Sequence, residues 1–216
     1  MTLQERMNAM KETFERTLSA EKRDIRHRAT EDLRRSGILD RVIKVGAPIP
    51  EFTLPNARGE KVSSADMHSR GPLVMTFYRG VWCPYCNMEL EALQESLQEI
   101  KATGATLVAV SPMREPYLRQ MAEKNHLEFD LLRDEGNVVS AKFGLVFRLP
   151  DDLIELYKTF GADLVRFNGD DSWTLPMPAR FVIDQKGILR HADVNADYTV
   201  RPDPSETIAV LKNLRV

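Results

Sequence analysis

Apolar positions recur along this chain in two rhythms: a three-and-four spacing that marks amphipathic helices, and short unbroken runs that mark strands buried on both faces. From Leu3 to Arg35 the first rhythm dominates. Met7, Met10, Phe14, Leu18 and Ile25 form an apolar stripe in a stretch that holds neither proline nor glycine. Charged pairs at i,i+4, namely Glu12/Arg16, Asp24/Arg28 and Glu31/Arg35, support a helix there. Thr17 and Glu21 interrupt a regular heptad, so the stripe predicts an arm packed on its own domain, with contact to a second copy as the other reading. Gly46-Ala47-Pro48-Ile49-Pro50 ends the pattern and divides the chain into an N-terminal helical extension, residues 1–44, and a main domain, residues 45–216.

In the main domain Phe52-Thr53-Leu54 and a turn at Asn56-Ala57-Arg58-Gly59 predict a short hairpin. Leu73 to Tyr78 is an apolar run with the character of a central strand. After it Leu90, Leu93, Leu97 and Ile100 mark one face of a helix that ends near Gly104. Ala105–Val110 and Phe129–Leu132 predict strands, and Pro116–Lys124 and Val138–Phe143 helices. An insertion then runs to Trp173 and holds an aspartate-capped helix over about Asp151–Phe160. Arg180–Ile183 and Ile188–Ala192 predict a hairpin around Asp184-Gln185-Lys186-Gly187, and Pro204–Leu214 a last helix. Parallel β-α-β crossovers followed by an antiparallel hairpin and a helix describe an α/β fold, a mixed central sheet covered on both faces.

Composition narrows the function. With a formal net charge of −2 over 216 residues the chain has no electrostatic footprint of a nucleic-acid binder. It has no long apolar window for a membrane span and no secretory signal at its N-terminus. The chain holds 2 cysteines, too few for a disulfide scaffold, which fits a reducing compartment, and the cytoplasm is the expected location.

Those two thiols carry the chemistry. Cys83 and Cys86 stand in Tyr78-Arg79-Gly80-Val81-Trp82-Cys83-Pro84-Tyr85-Cys86, between a strand and a helix. Pro84 suits the first helical turn, which puts Cys83 near the N-cap and Cys86 within that turn, both beside unpaired backbone N–H groups. A thiol reacts as its thiolate, so this placement, with Arg79 four residues before Cys83, favours a lowered pKa. Inert packing and half of a zinc site are the competing readings, but His27, His68, His126 and His191 are scattered and no metal or other cofactor is implied.

Trp82-Cys83-Pro84-Tyr85-Cys86 resembles the active site of thioredoxin-fold oxidoreductases. The wider segment resembles peroxiredoxins, which read Phe-Tyr-Pro, three residues, Thr, two residues, Cys, two residues, Glu. On that pattern Cys86 takes the position of the peroxidatic cysteine and Glu89 that of the acid, while Cys83 replaces the threonine and Arg79 the proline. Gly46–Leu54 and Arg180–Ile188 resemble further segments of the same family. The resemblance implies a thioredoxin-like fold. Where peroxiredoxins carry an arginine three residues before the hairpin-strand phenylalanine, this chain has Pro178. Thioredoxin-like proteins place a cis-proline there, facing the cysteines, and Leu175-Pro176-Met177-Pro178 fits that pattern.

Two mechanisms follow. Cys86 attacks a hydroperoxide, becomes a sulfenic acid, and Cys83 closes a disulfide that a thioredoxin-type or low-molecular-weight thiol reduces. Alternatively Cys83 attacks a substrate disulfide and Cys86 resolves it. A redox sensor without turnover is the non-enzymatic alternative. Pro178, Arg79, Trp82 and Glu89 are the supporting residues, and Trp173 or Phe167 are candidate walls of the pocket. Strand alternation turns Arg180 away from the site, Arg201 reads as a solvated loop arginine, and His191 as structural rather than a base.

Overall fold

The computed structural model describes residues 1–214. Two helices open the chain, α1 (Leu3–Thr17) and α2 (Ala20–Arg35), where the apolar stripe predicted one. The break has a local cause: Leu18 turns extended, and the Ser19 hydroxyl accepts the Lys22 amide as the N-cap of α2. Arg23 then donates to the Glu15 and Leu18 carbonyls at the C-terminal end of α1.

The hairpin β1 (Thr53–Pro55) and β2 (Lys61–Ser63) forms as expected and is followed by α3 (Ser64–Arg70). β3 (Leu73–Phe77) leads into α4 (Pro84–Glu95), and α5 (Leu97–Ala102) continues it after a kink at Ser96. β4 (Thr106–Ser111), α6 (Glu115–Lys124), β5 (Asp130–Arg133) and α7 (Val138–Lys142) complete the crossovers. The insertion holds β6 (Val146–Arg148), α8 (Asp151–Thr159), α9 (Leu164–Asn168) and β7 (Thr174–Pro176). Pro150, not an aspartate, occupies the N-cap of α8; Asp151 and Asp152 lie in its first turn. β8 (Ala179–Ile183), β9 (Leu189–Val194) and α10 (Pro204–Asn213) end the fold.

Five strands form the central sheet in the order β5-β4-β3-β8-β9. β3, β4 and β5 run parallel; β8 and β9 run antiparallel to their neighbours. All of β3 is buried, as its unbroken apolar run requires of a strand with helices on both sides. One face packs Val74, Leu107, Ala109 and Val182 against Leu90, Leu93, Leu97 and Ile100 of α4 and α5. Burial of each of those four helix side chains contributes about 1.5–3 kcal/mol. Leu3 and Met7 of α1 join the same cluster, so the extension is packed on the domain that it precedes. The other face buries Met75, Phe77, Val108 and Phe181 beneath Phe143 and Ile38.

Candidate functional site

β3 and its extension Tyr78 end in Arg79-Gly80-Val81-Trp82, a loop that turns directly into α4. A Cβ at Gly80, whose φ is 157°, would collide with the Trp82 indole nitrogen, so the tight turn requires glycine. Cys83 is the N-cap of α4 with Pro84 behind it, and Cys86 lies in the first turn, as the sequence predicts. Asn87 holds the turn in place by donating to the Val81 carbonyl at 2.9 Å and the Cys83 carbonyl at 2.8 Å.

Both thiols are free and buried, Cys83 at 2% exposure and Cys86 at 0%. Two donors face the inner sulfur: the Arg79 backbone N–H at 3.4 Å and Arg201 Nη2 at 3.8 Å from Cys86 Sγ. The two sulfurs do not share charge equally. Burial opposes ionisation of Cys83, but hydrogen bonding with Cys86 and the charges of Arg79 and Arg201 lower it to about 6. Burial, and then the hydrogen bond and charge of Cys83, push Cys86 well above its ordinary value. The arginine charges thus favour a thiolate within the pair, and the hydrogen bond between the two sulfurs favours it on Cys83 over Cys86.

Glu89, one turn after Cys86, is 1% exposed and paired with two arginines. Arg180 Nη2 stands 2.8 Å from one carboxylate oxygen and Arg201 Nε 2.6 Å from the other. This cluster corrects two expectations. Arg180 reaches the site after all, because its side chain leaves β8 toward α4, on the side opposite Phe181. Arg201 is buried at 4% exposure rather than solvated, drawn in by Glu89. Two cations and one carboxylate leave a positive charge beneath Cys86.

Arg79 is buried and lies over Tyr198, with its Cζ 4.1 Å from the ring centre and 4.9 Å from that of Trp82. One of its nitrogens donates to the Tyr157 hydroxyl. Cys83 opens on a cleft of about 320 Å³ walled by Phe14 of α1, Tyr157 and Phe160 of the insertion, Trp82, Tyr85 and Tyr198. Trp173 and Phe167 do not line it: Trp173 packs inside the insertion and Phe167 against Tyr117. Pro178 is not the expected cis-proline, for no peptide bond among the described residues is cis. It lines a separate cavity with Glu89 and Arg201 and is absent from the wall of the cleft at Cys83. His191 pairs with Asp193 at 2.7 Å, part of β9 rather than of the thiol site.

Arg26, Phe14, Tyr157 and Tyr198 are the site residues that sequence alone does not find. They come from segments distant in the chain, Arg26 and Tyr198 being hydrogen-bonded across 172 residues, and no local spacing links them.

The profile of the AhpC/TSA family matches residues 45–192. Chloroplastic peroxiredoxin Q of Sedum lineare is 30% identical over 183 residues, covering 85% of this chain and 85% of its own length. Peroxiredoxin Bcp of Escherichia coli K12 is 33% identical over 103 residues, 48% of this chain and 65% of that protein. Peroxidoxin BcpB of Mycobacterium tuberculosis superposes with a TM-score of 0.63 at 21% identity, over 81% of this chain and 99% of that one. The fold, a thioredoxin-like mixed sheet flanked by helices, is thus shared with peroxiredoxins of known structure. Since the matched region includes β3, both cysteines, β8 and the first part of β9, the chain belongs to the AhpC/TSA family.

Proposed function

We propose that the protein is a thiol-dependent peroxidase that reduces hydroperoxides with the Cys83–Cys86 pair and returns to the dithiol at the expense of a thiol donor. The observation that carries this reading is geometric: two buried free thiols at the N-terminus of α4, with the Arg79 N–H and Arg201 Nη2 facing the inner sulfur. The relatives named peroxiredoxin supply the oxidant class.

Cys86 stands at the peroxidatic position of the family, and the Arg79 N–H and Arg201 guanidinium point at its sulfur. Donors so placed stabilise the thiolate as it forms and the oxygen charge that develops when the O–O bond breaks. Cys83, already ionised, serves as the base. It takes the Cys86 proton as Cys86 Sγ attacks the distal peroxide oxygen, and it returns that proton to the departing alkoxide. Cys86 becomes a sulfenic acid and an alcohol leaves. The Cys83 thiolate then attacks Cys86 Sγ; the S–S bond forms, and hydroxide leaves as water after taking a proton from solvent. Two electrons pass from the thiol pair to the peroxide.

A second reading, disulfide exchange started by Cys83, is favoured by one observation: Cys83 carries the charge and is the cysteine that lines the cleft. Anaerobic titration of the reduced protein with an alkyl hydroperoxide separates the two. Peroxidase chemistry yields one alcohol per chain and a protein lighter by two hydrogens, faster than free cysteine at the same pH. A reaction no faster than free cysteine, beside rapid reaction with a model disulfide, selects the exchange reading.

A further inference from the structure

The cleft at Cys83 holds more hydrogen-bond donors than the protein satisfies. Arg79 Nε and Nη1, Arg26 Nη1, Trp82 Nε1 and Tyr85 Oη are buried without a partner, and all four residues line it. Arg26 and Arg79 are 5% and 2% exposed, so neither is an ordinary solvated arginine. The protein partners of their guanidiniums are phenols, Tyr198 for Arg26 and Tyr157 for Arg79; no carboxylate stands within ion-pair distance of either among the described residues. Arg26 has no counter-ion, and Arg79 loses its own when the Cys83 thiolate is consumed in the disulfide, an arrangement that is costly unless an anion completes it. Around the donors Phe14 and Phe160 supply an apolar wall. A set made of cationic and neutral donors with aromatic sides fits a carboxylate joined to a short apolar body.

We infer that this cleft is the binding site of the reductant, and that the reductant is a low-molecular-weight thiol carrying a carboxylate. The inference rests on the peroxidase reading, in which Cys86 takes the oxygen and the cleft, reaching Cys83 but not Cys86, is left for the returning thiol. A small thiol can reach Cys83 through the cleft, whereas neither cysteine exceeds 2% exposure for the surface of a partner protein to meet. With its carboxylate on Arg26 and Arg79, the donor thiolate attacks Cys83 Sγ. The Cys83–Cys86 bond breaks, Cys86 leaves with the electron pair toward Arg201, and solvent supplies its proton. A second donor thiolate attacks the donor sulfur of the mixed disulfide, releasing the oxidised donor and the Cys83 thiolate. Two donor molecules supply the two electrons. Phe14 and Arg26 belong to α1 and α2, outside the segment matched by the family profile, so this preference is a property of the extension.

The test uses the full chain oxidised to the disulfide with diamide, so that it does not depend on peroxide. Re-reduction is followed by tryptophan fluorescence with 3-mercaptopropionate, 2-mercaptoethanol and cysteamine, each rate divided by the thiolate concentration. The expected result is an advantage of about tenfold or more for the carboxylated thiol over the neutral one, shrinking at high salt, with the cationic thiol slowest. 3-Phenylpropionate should compete and 3-phenylpropanol should not. Arg26→Gln should cut the preference to about threefold or less; if that variant does not fold, competition in the wild-type protein decides. Equal rates for the three thiols, or no competition by the carboxylate, overturns the inference. Peroxide oxidation, measured separately, stands or falls on its own and tests only the peroxidase reading.

Discussion

Three guanidinium groups determine where the charge of the thiol pair rests. Arg79 and Arg201 act on the sulfurs directly, whereas Arg180 acts through Glu89, which holds Arg201 at its distance from Cys86. Since Cys83 is lowered to about 6, the rate of its alkylation by iodoacetamide should rise through that pH and level off above it. An inflection near the free-cysteine value, about 8.5, would show that the arginines do not set the charge. Arg201→Met should move the inflection upward and slow peroxide oxidation about tenfold or more, because one pKa unit is a tenfold change in thiolate at a pH below both values. Glu89→Gln would leave two buried arginines without their carboxylate, and a loss of about 3–5 kcal/mol in denaturant unfolding is expected.

At the scale of elements, the entry to α4 is the critical join. Gly80→Ala drives a methyl group into Trp82, which should cost about 1–3 kcal/mol and change tryptophan emission. A variant as stable as the wild type with an unchanged spectrum would contradict the packing described. The order of strands and helices and the placement of both cysteines were legible in the sequence, since β3 and α4 have the two hydrophobic periods undisturbed. The division of α1 from α2 is hidden in the sequence, because the apolar stripe runs across Ser19 and conceals its capping role. α3 and α9, of 7 and 5 residues, are too short to show a period in the sequence. Pro178 stands where thioredoxin-like proteins carry a cis-proline, but the isomer is a property of the backbone that the motif does not encode, and here the bond is trans. Arg180 and Arg201 depart from the sequence expectation for another reason: alternation and composition describe average exposure, and a buried carboxylate such as Glu89 overrides both.

For the whole molecule, the N-terminal extension is part of the structure that holds the site. Leu3 and Met7 enter the core that contains both cysteines, and Phe14 and Arg26 reach the cleft. Met7, fully buried, should cost about 2–5 kcal/mol as Met7→Ala, within a single cooperative transition. Two separate transitions would mean that the extension unfolds independently. The central claim is that the inner thiol takes the oxygen while the outer one manages the proton and closes the disulfide. Its most direct test is Cys83→Ser treated with peroxide and a sulfenic-acid trap, followed by peptide mapping. The account predicts a trapped adduct at Cys86, formed faster than on free cysteine but more slowly than the wild-type protein is oxidised, because the base is gone. No adduct in Cys83→Ser, together with a rapid adduct at Cys83 in Cys86→Ser, would contradict it.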